Sequence, residues 1–304
     1  QDTPPSVNVH FDFKLLGERE DSCFRQKEIK EYIRQWGMED TLTLTQVHFC
    51  PAFMPHEETT FLHQLFAFAP DKTPKPRNTL ANVKSIRWET LKCTVMSMDF
   101  FNCIVDKGIV SQSGNIRGCF PDVFNGVTVS DKLRELLVNP DSENADIFSA
   151  DQQEELLFHL FRVFAVGGGV CQPHDKLEPY TTAAKALYKD LVSVQKNAST
   201  GKLEIAACKV YHVTEVSSGN DHNDNITKNN NLQGVSSLSG GSTYGEVVGL
   251  ENGGGDGGGG GAYSISKGTN ASSEASSPNS TCLVVVDLKK KRASVVRKEF
   301  LPFW

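Results

Sequence analysis

The chain has no C-x-x-C, no histidines at i, i+4 around a glutamate, no G-x-S-x-G, and no apolar run of the roughly eighteen residues a bilayer requires. Each absence removes a class. Zinc-ribbon and H-E-x-x-H metal sites and the nucleophile elbow are missing as motifs, and the best apolar segment, 156–166, is interrupted by His159 and Arg162. A basic excess is missing too: 31 Lys and Arg against 37 Asp and Glu leave a formal charge of −6, so no charge-driven binding to nucleic acid is expected. The cysteines, at 23, 50, 93, 103, 119, 171, 208 and 282, lack the tight spacings of a secreted disulfide scaffold and read as reduced thiols in a cytoplasmic compartment. Of the four N-x-[ST] matches, Asn225, Asn270 and Asn279 fall in low-complexity sequence and Asn197 in a turn, so chance accounts for them.

What is present divides the chain. Residues 217–280 hold 15 of the 25 glycines, with abundant Ser and Asn, and too few large apolar groups to offset about 1–2 kcal/mol of backbone entropy per ordered residue. A disordered insert is expected there. It is followed at 281–300 by a β-rich hairpin around Lys289–Arg292, and preceded at 191–216 by a second hairpin turning at 197–202. The simplest architecture pairs both hairpins in one sheet.

Helices are read in four places: after Ser22, with Ile29, Ile33 and Trp36 on one face and Gly37 as a stop; at 56–70, with Glu57 and Glu58 in the first turn; after Ser130; and from Ser149 to Gly167. The last has Gln152 at the capping-box spacing and Leu156, Leu157, Leu160, Phe161 and Phe164 as its apolar stripe. Strand-like runs at 7–13, 42–49 and 91–98 interleave with them. The expectation is a single α+β (mixed α/β) globular domain at 7–216, a disordered insert at 217–280, a hairpin at 281–300 completing the domain, and an aromatic tail at 301–304.

The segment "FAVGGGVCQPH" concentrates the chemical candidates. Gly167–Gly169 are not followed by the Lys and hydroxyl of a P-loop, and they follow a helix where the dinucleotide fingerprint follows a strand. They read as a helix stop with close backbone packing. Cys171 and His174 could be a nucleophile and its base only if brought into contact, and Pro173 between them favours an extended backbone; the plainer reading of Cys171 is a buried thiol. A small-molecule or nucleotide enzyme with its site at Gly167–His174 remains the alternative reading. "DHNDNI" at 221–226 fails as a calcium loop because Ile226 stands where glycine is needed and Leu232 where a glutamate is needed. Glu154 and Glu155 read as a solvated helix face.

Two features invite partners. Lys289–Arg292 is a charged hairpin turn, a nuclear address or a patch for an acidic partner, with Ser294 placed as a basophilic kinase would favour. The ending Phe300, Leu301, Phe303 and Trp304 either packs back on the domain or offers an aromatic peptide to a partner's groove.

Three blocks in order, "DKGIVSQSGNIRGCFPDVFNGVTVSDKLRELL" (106–137), "EELLFHLFRVFAVGGGVCQ" (154–172) and "PYTTAAKALYKDLVSVQKN" (179–197), resemble the cilia- and flagella-associated protein 300 family. The likeness runs from the first strand to Val216 and returns at 281–298; the long Gly/Ser/Asn-rich insert and the aromatic ending depart from it. The resemblance implies a non-enzymatic factor of the cytoplasm and the ciliary or flagellar axoneme, without a cofactor. It would assemble and deliver outer and inner dynein arms for motility, with preassembly factors, co-chaperones and the intraflagellar transport machinery as partners and neither nucleic acid nor membrane among them. It carries no catalytic residues over.

Overall fold

The computed structural model describes residues 9–68, 83–218 and 277–301. Strand β1 (Asp12–Leu15) starts the main sheet, and helix α1 (Lys27–Gln35) follows a 3-10 turn that the Ser22 side chain caps. Next come β2 (Leu42–Cys50), α2 (Glu58–Ala67), β3 (Val83–Leu91) and α3 (Asn102–Asp106). A hairpin of β4 (Gly118–Phe124) and β5 (Val127–Asp131) turns on Asn125 and Gly126, both at positive φ, which is the geometry an Asn-Gly pair favours. Helices α4 (Lys132–Val138), α5 (Ala150–Gln153), α6 (Leu156–Val166) and α7 (Glu178–Leu191) lead to β6 (Val194–Lys196), β7 (Leu203–Ile205), β8 (Cys208–Ser218), β9 (Thr281–Asp287) and β10 (Arg292–Lys298). The fold is α+β, with β9 and β10 as its C-terminal hairpin.

Six strands form one antiparallel sheet in the order β1-β2-β10-β9-β8-β3. The two central strands are covered on both faces, which is why 281–287 reads as a nearly unbroken β-branched run. Alternation splits the core in two. Leu42, Leu283, Val285 and Val296 face α1, α4, α6 and α7, whereas Val47, Phe49, Val284, Val286 and Val295 face Phe61, Leu62, Leu65 and Phe66 of α2.

Several expectations are corrected. The two hairpins do not share one sheet: β6 and β7 pair separately, and only β8 joins β9. The strand expected at 91–98 lies upstream, at Val83–Leu91. Beyond it the chain leaves the sheet, because the Lys92 backbone bonds to Glu154 and Leu156 (Lys92 N–H to Glu154 O 2.9 Å, Leu156 N–H to Lys92 O 2.8 Å). That bridge breaks the long helix expected from Ser149 into α5 and α6. Ser149 and Gln152 do form the capping box, but Glu155 turns extended, is 5% exposed, and accepts hydrogen bonds from the Thr94 backbone and hydroxyl. It is therefore no solvated helix face. The α4 cap is Asp131, one residue beyond Ser130, since the longer carboxylate reaches the Arg134 N–H at 2.8 Å. The first strand begins at Asp12, later than expected.

The expected insert at 217–280 lies mostly outside the described residues, as does the 221–226 run. At its edges β8 continues to Ser218, and Asn279 is 3% exposed, so that glycosylation match is buried. All eight cysteines are free thiols. Among the described residues no helix is long and apolar enough to cross a membrane.

Candidate functional site

The C-terminal ends of α1 and α6 interlock backbone to backbone. Gly167 ends α6 at φ +67°, a conformation open to glycine without a Cβ penalty. The Gly168 N–H then donates to Trp36 O, and Gln172 N–H to Gln35 O, each at 2.8 Å. A Cβ on Gly168 would lie 2.2 Å from Gly37 O, and one on Gly37 would lie 2.5 Å from Val170 O. The triple glycine is a helix stop with close backbone packing, and its amide at 168 is already committed.

Aromatic rings lock this junction. Trp36, fully buried, stacks on Tyr32 and Tyr180 with centroids 5.2 and 5.0 Å away, and His174 meets it edge-on at 5.8 Å. The Tyr180 hydroxyl accepts from the His174 backbone N–H at 2.8 Å. Cys171 takes a hydrogen bond from Arg134 at 3.5 Å, while Arg134, 3% exposed, holds Asp131 at 2.6 Å and Tyr180 at 3.3 Å. Burial pushes the Cys171 thiol up, although Arg134 opposes it. A nucleophile needs the opposite shift. Cys171 and His174 are thus built into separate packing contacts.

A second assembly escaped the sequence reading. Lys298 follows Val296 in alternation and so points into the α6 side of the sheet, where it is 1% exposed. Its Nζ donates to Asn279 O at 3.0 Å and lies 4.6 Å from the Phe300 ring centroid. Burial, reinforced by Arg162, pushes its pKa down to about 7. Arg162 donates to Leu137 O and Asn279 Oδ1, and the Asn279 amide donates to Asn125 O, so Asn279 ties α6, β10 and the β4–β5 turn together. The period-two pattern before Lys298 was a readable signal; for Asn279, set in Ser-rich sequence, there was none.

The partner candidates separate. Phe300 is 4% exposed and its N–H bonds to Ser280 Oγ, because alternation carries it to the same buried face as Lys298; Leu301 is 55% exposed, and Phe303 and Trp304 lie outside the described residues. In the basic run Lys289 and Lys290 are exposed at the turn, but Arg292 is buried against Asp190 O at 3.3 Å. Ser294, 1% exposed on the central strand β10, accepts from Gln46 at 3.0 Å, so the folded chain hides it from a kinase.

His159 on α6 and His212 on β8 face each other with centroids 5.2 Å apart, near Arg162 and Glu89. Burial, aided by the His212 and Arg162 charges, pushes His159 down to about 3. The unfolded chain therefore binds the extra proton first, and stability present above about pH 6.5 is lost as pH falls toward 3, by at most about 1.4 kcal/mol per pH unit. Urea unfolding between pH 7 and 4 should show this slope, and His159→Leu should flatten it. An unchanged slope would mean that other groups set the acid limit.

A family model described as Cilia- and flagella-associated protein 300 matches residues 10–235; the likeness at 281–298 lies beyond that match. Among curated relatives, the Cilia- and flagella-associated protein 300 of Chlamydomonas reinhardtii is 39% identical over 128 residues, covering 41% of this chain and about half (49%) of that protein. The Paramecium tetraurelia protein of the same name is 28% identical over 218 residues, covering 68% of this chain and 84% of its own. No solved structure matches. With the family model spanning most of the folded sequence and its glycine junction, the chain belongs to the cilia- and flagella-associated protein 300 family.

Proposed function

We propose that the chain is a non-enzymatic ciliary factor that assembles and transports outer and inner axonemal dynein arms, moving between cytoplasm and cilium and needed for motility. Membership of a cilia- and flagella-associated family is the observation that carries the ciliary part. The interaction part is supported by how the reactive groups are used. The Gly168 amide and the Cys171 thiol are taken up in hydrogen bonds, and the His174 ring is packed edge-on against Trp36 with its Nε2 buried and unpaired, which weighs against a nucleophile and base at Gly167–His174. Meanwhile β4 leaves Phe120 96% and Val123 63% exposed, apolar surface suited to a protein partner. Preassembly factors, co-chaperones and intraflagellar transport components are the proposed partners, with Leu301 and the residues after it as a second contact.

Deleting the gene in a ciliated cell and counting arms in axoneme cross-sections tests this. Loss of both outer and inner arms, restored by re-expression, is expected. A full complement of arms with a normal beat would end the proposal.

A further inference from the structure

A cleft of about 130 Å³ opens beside the glycine junction, lined by Thr128, Ser130, Arg134, Gly169, Cys171 and Phe300 among others. It is too small for a nucleotide, since pockets for drug-sized ligands run from roughly 300 Å³ upward. Charge around it is unbalanced. Arg134 is neutralised by Asp131, yet Lys298, over the ring of Phe300, and Arg162, which shares Asn279 with it, are held by oxygens of Asn279 and by the Leu137 carbonyl, all of them neutral acceptors. Neither lines the cleft itself, Lys298 lying behind its Phe300 wall, and among the described residues no carboxylate pairs with either. A buried cation without an anion is costly; Lys298 responds by giving up its proton near 7, and a negative group brought alongside would restore its charge.

We propose that this cleft is a subsite for one oxyanion group, a carboxylate or a phosphate, bound by Arg134 and the Thr128 and Ser130 hydroxyls and balanced by the charge of Lys298. The inference stands on the cleft alone and is independent of any role with dynein arms. The groups facing Lys298 are Arg162 from α6, Cys171 after α6, the Asn279 carbonyl and the Phe300 ring; Asp131 and Tyr180 act through Arg134. Burial raises Cys171 and Tyr180, so neither loses its proton between pH 6 and about 8.5. With Lys298 near 7 in the free protein, an entering anion draws a proton onto it, and binding weakens as pH rises.

Sulfate, whose charge is constant over this range, is the probe, titrated calorimetrically into the full chain in chloride at fixed ionic strength. Saturable binding at pH 6, weaker by about tenfold or more at pH 8.5, is expected from the proton linkage. Lys298→Met should remove the pH dependence, and Thr128→Trp, at an exposed rim position, should block binding without changing the melting temperature measured in chloride. Competition by an N-acetylated polyglutamate peptide would assign the source to a partner's carboxylates, competition by a phosphoserine peptide to a phosphate; either supports the site. No saturable binding at pH 6, binding independent of pH, or binding untouched by both substitutions would overturn it.

Discussion

Lys298→Met is expected to raise the unfolding free energy at pH 7, in oxyanion-free buffer, by about 2 kcal/mol. The wild-type lysine is charged when unfolded, with an ordinary value of 10.5, and holds its proton only below about 7 when folded. Its destabilisation is therefore full below pH 7 and is relieved as pH rises toward 10.5. At pH 7 it amounts to roughly 4 kcal/mol at 1.36 kcal/mol per unit of displacement. The substitution gives up a hydrogen bond to Asn279 and a cation–π contact with Phe300, each worth about 1 kcal/mol, which leaves the net gain. Between pH 7 and 9 the wild type should gain about 2 kcal/mol and the variant almost nothing. Above that range buried thiols and phenols such as Cys171 and Tyr180, raised by burial, reverse the trend. Urea unfolding at pH 7 and 9 decides it: a variant less stable at both values would show that the ammonium holds the fold together.

Gly168→Ala should destabilise the protein by about 3 kcal/mol or more, a drop of around 10 °C in melting temperature. The new methyl would fall 2.2 Å from Gly37 O and 3.0 Å from Trp36 O, both backbone atoms, so the ends of α1 and α6 must part. Parting them strains the Gly168 N–H bond to Trp36 O and loosens the Trp36 stack with Tyr180. Gly17→Ala is the control, because nothing lies within 4 Å of its Cβ position, and it should leave the melting temperature unchanged within error. Equal effects from both substitutions would remove the close approach as the reason for glycine at 168.

The individual elements were legible wherever a local signal acted alone. Gly37 and the Ser149–Gln152 box are visible because the partners lie within one helical turn, and the structure has both; Ser22 does cap, but only the 3-10 turn at Cys23–Arg25, and α1 itself starts after Gln26 without a side-chain cap. The Asn125–Gly126 turn carries an equally local signal. Misreadings cluster where a distant strand intervened: Lys92 entering between α5 and α6 both broke the long helix and buried Glu155, and neither 91–98 nor 149–166 contains a hint of the other.

By itself the sequence determined the family, the α+β class and the role of the triple glycine as a stop, because motif order, hydrophobic period and backbone permissiveness are properties of contiguous residues. Tertiary structure alone decided that Trp36 and Gly168 touch, that Asn279 joins three elements, and that Lys298 lies buried beside a cleft. The last depends on which face of β10 meets α6, and the register of its pairing with β2 and β9 sets that; the other two depend on how distant helix ends and turns pack, which burial selects and neighbouring residues do not mark.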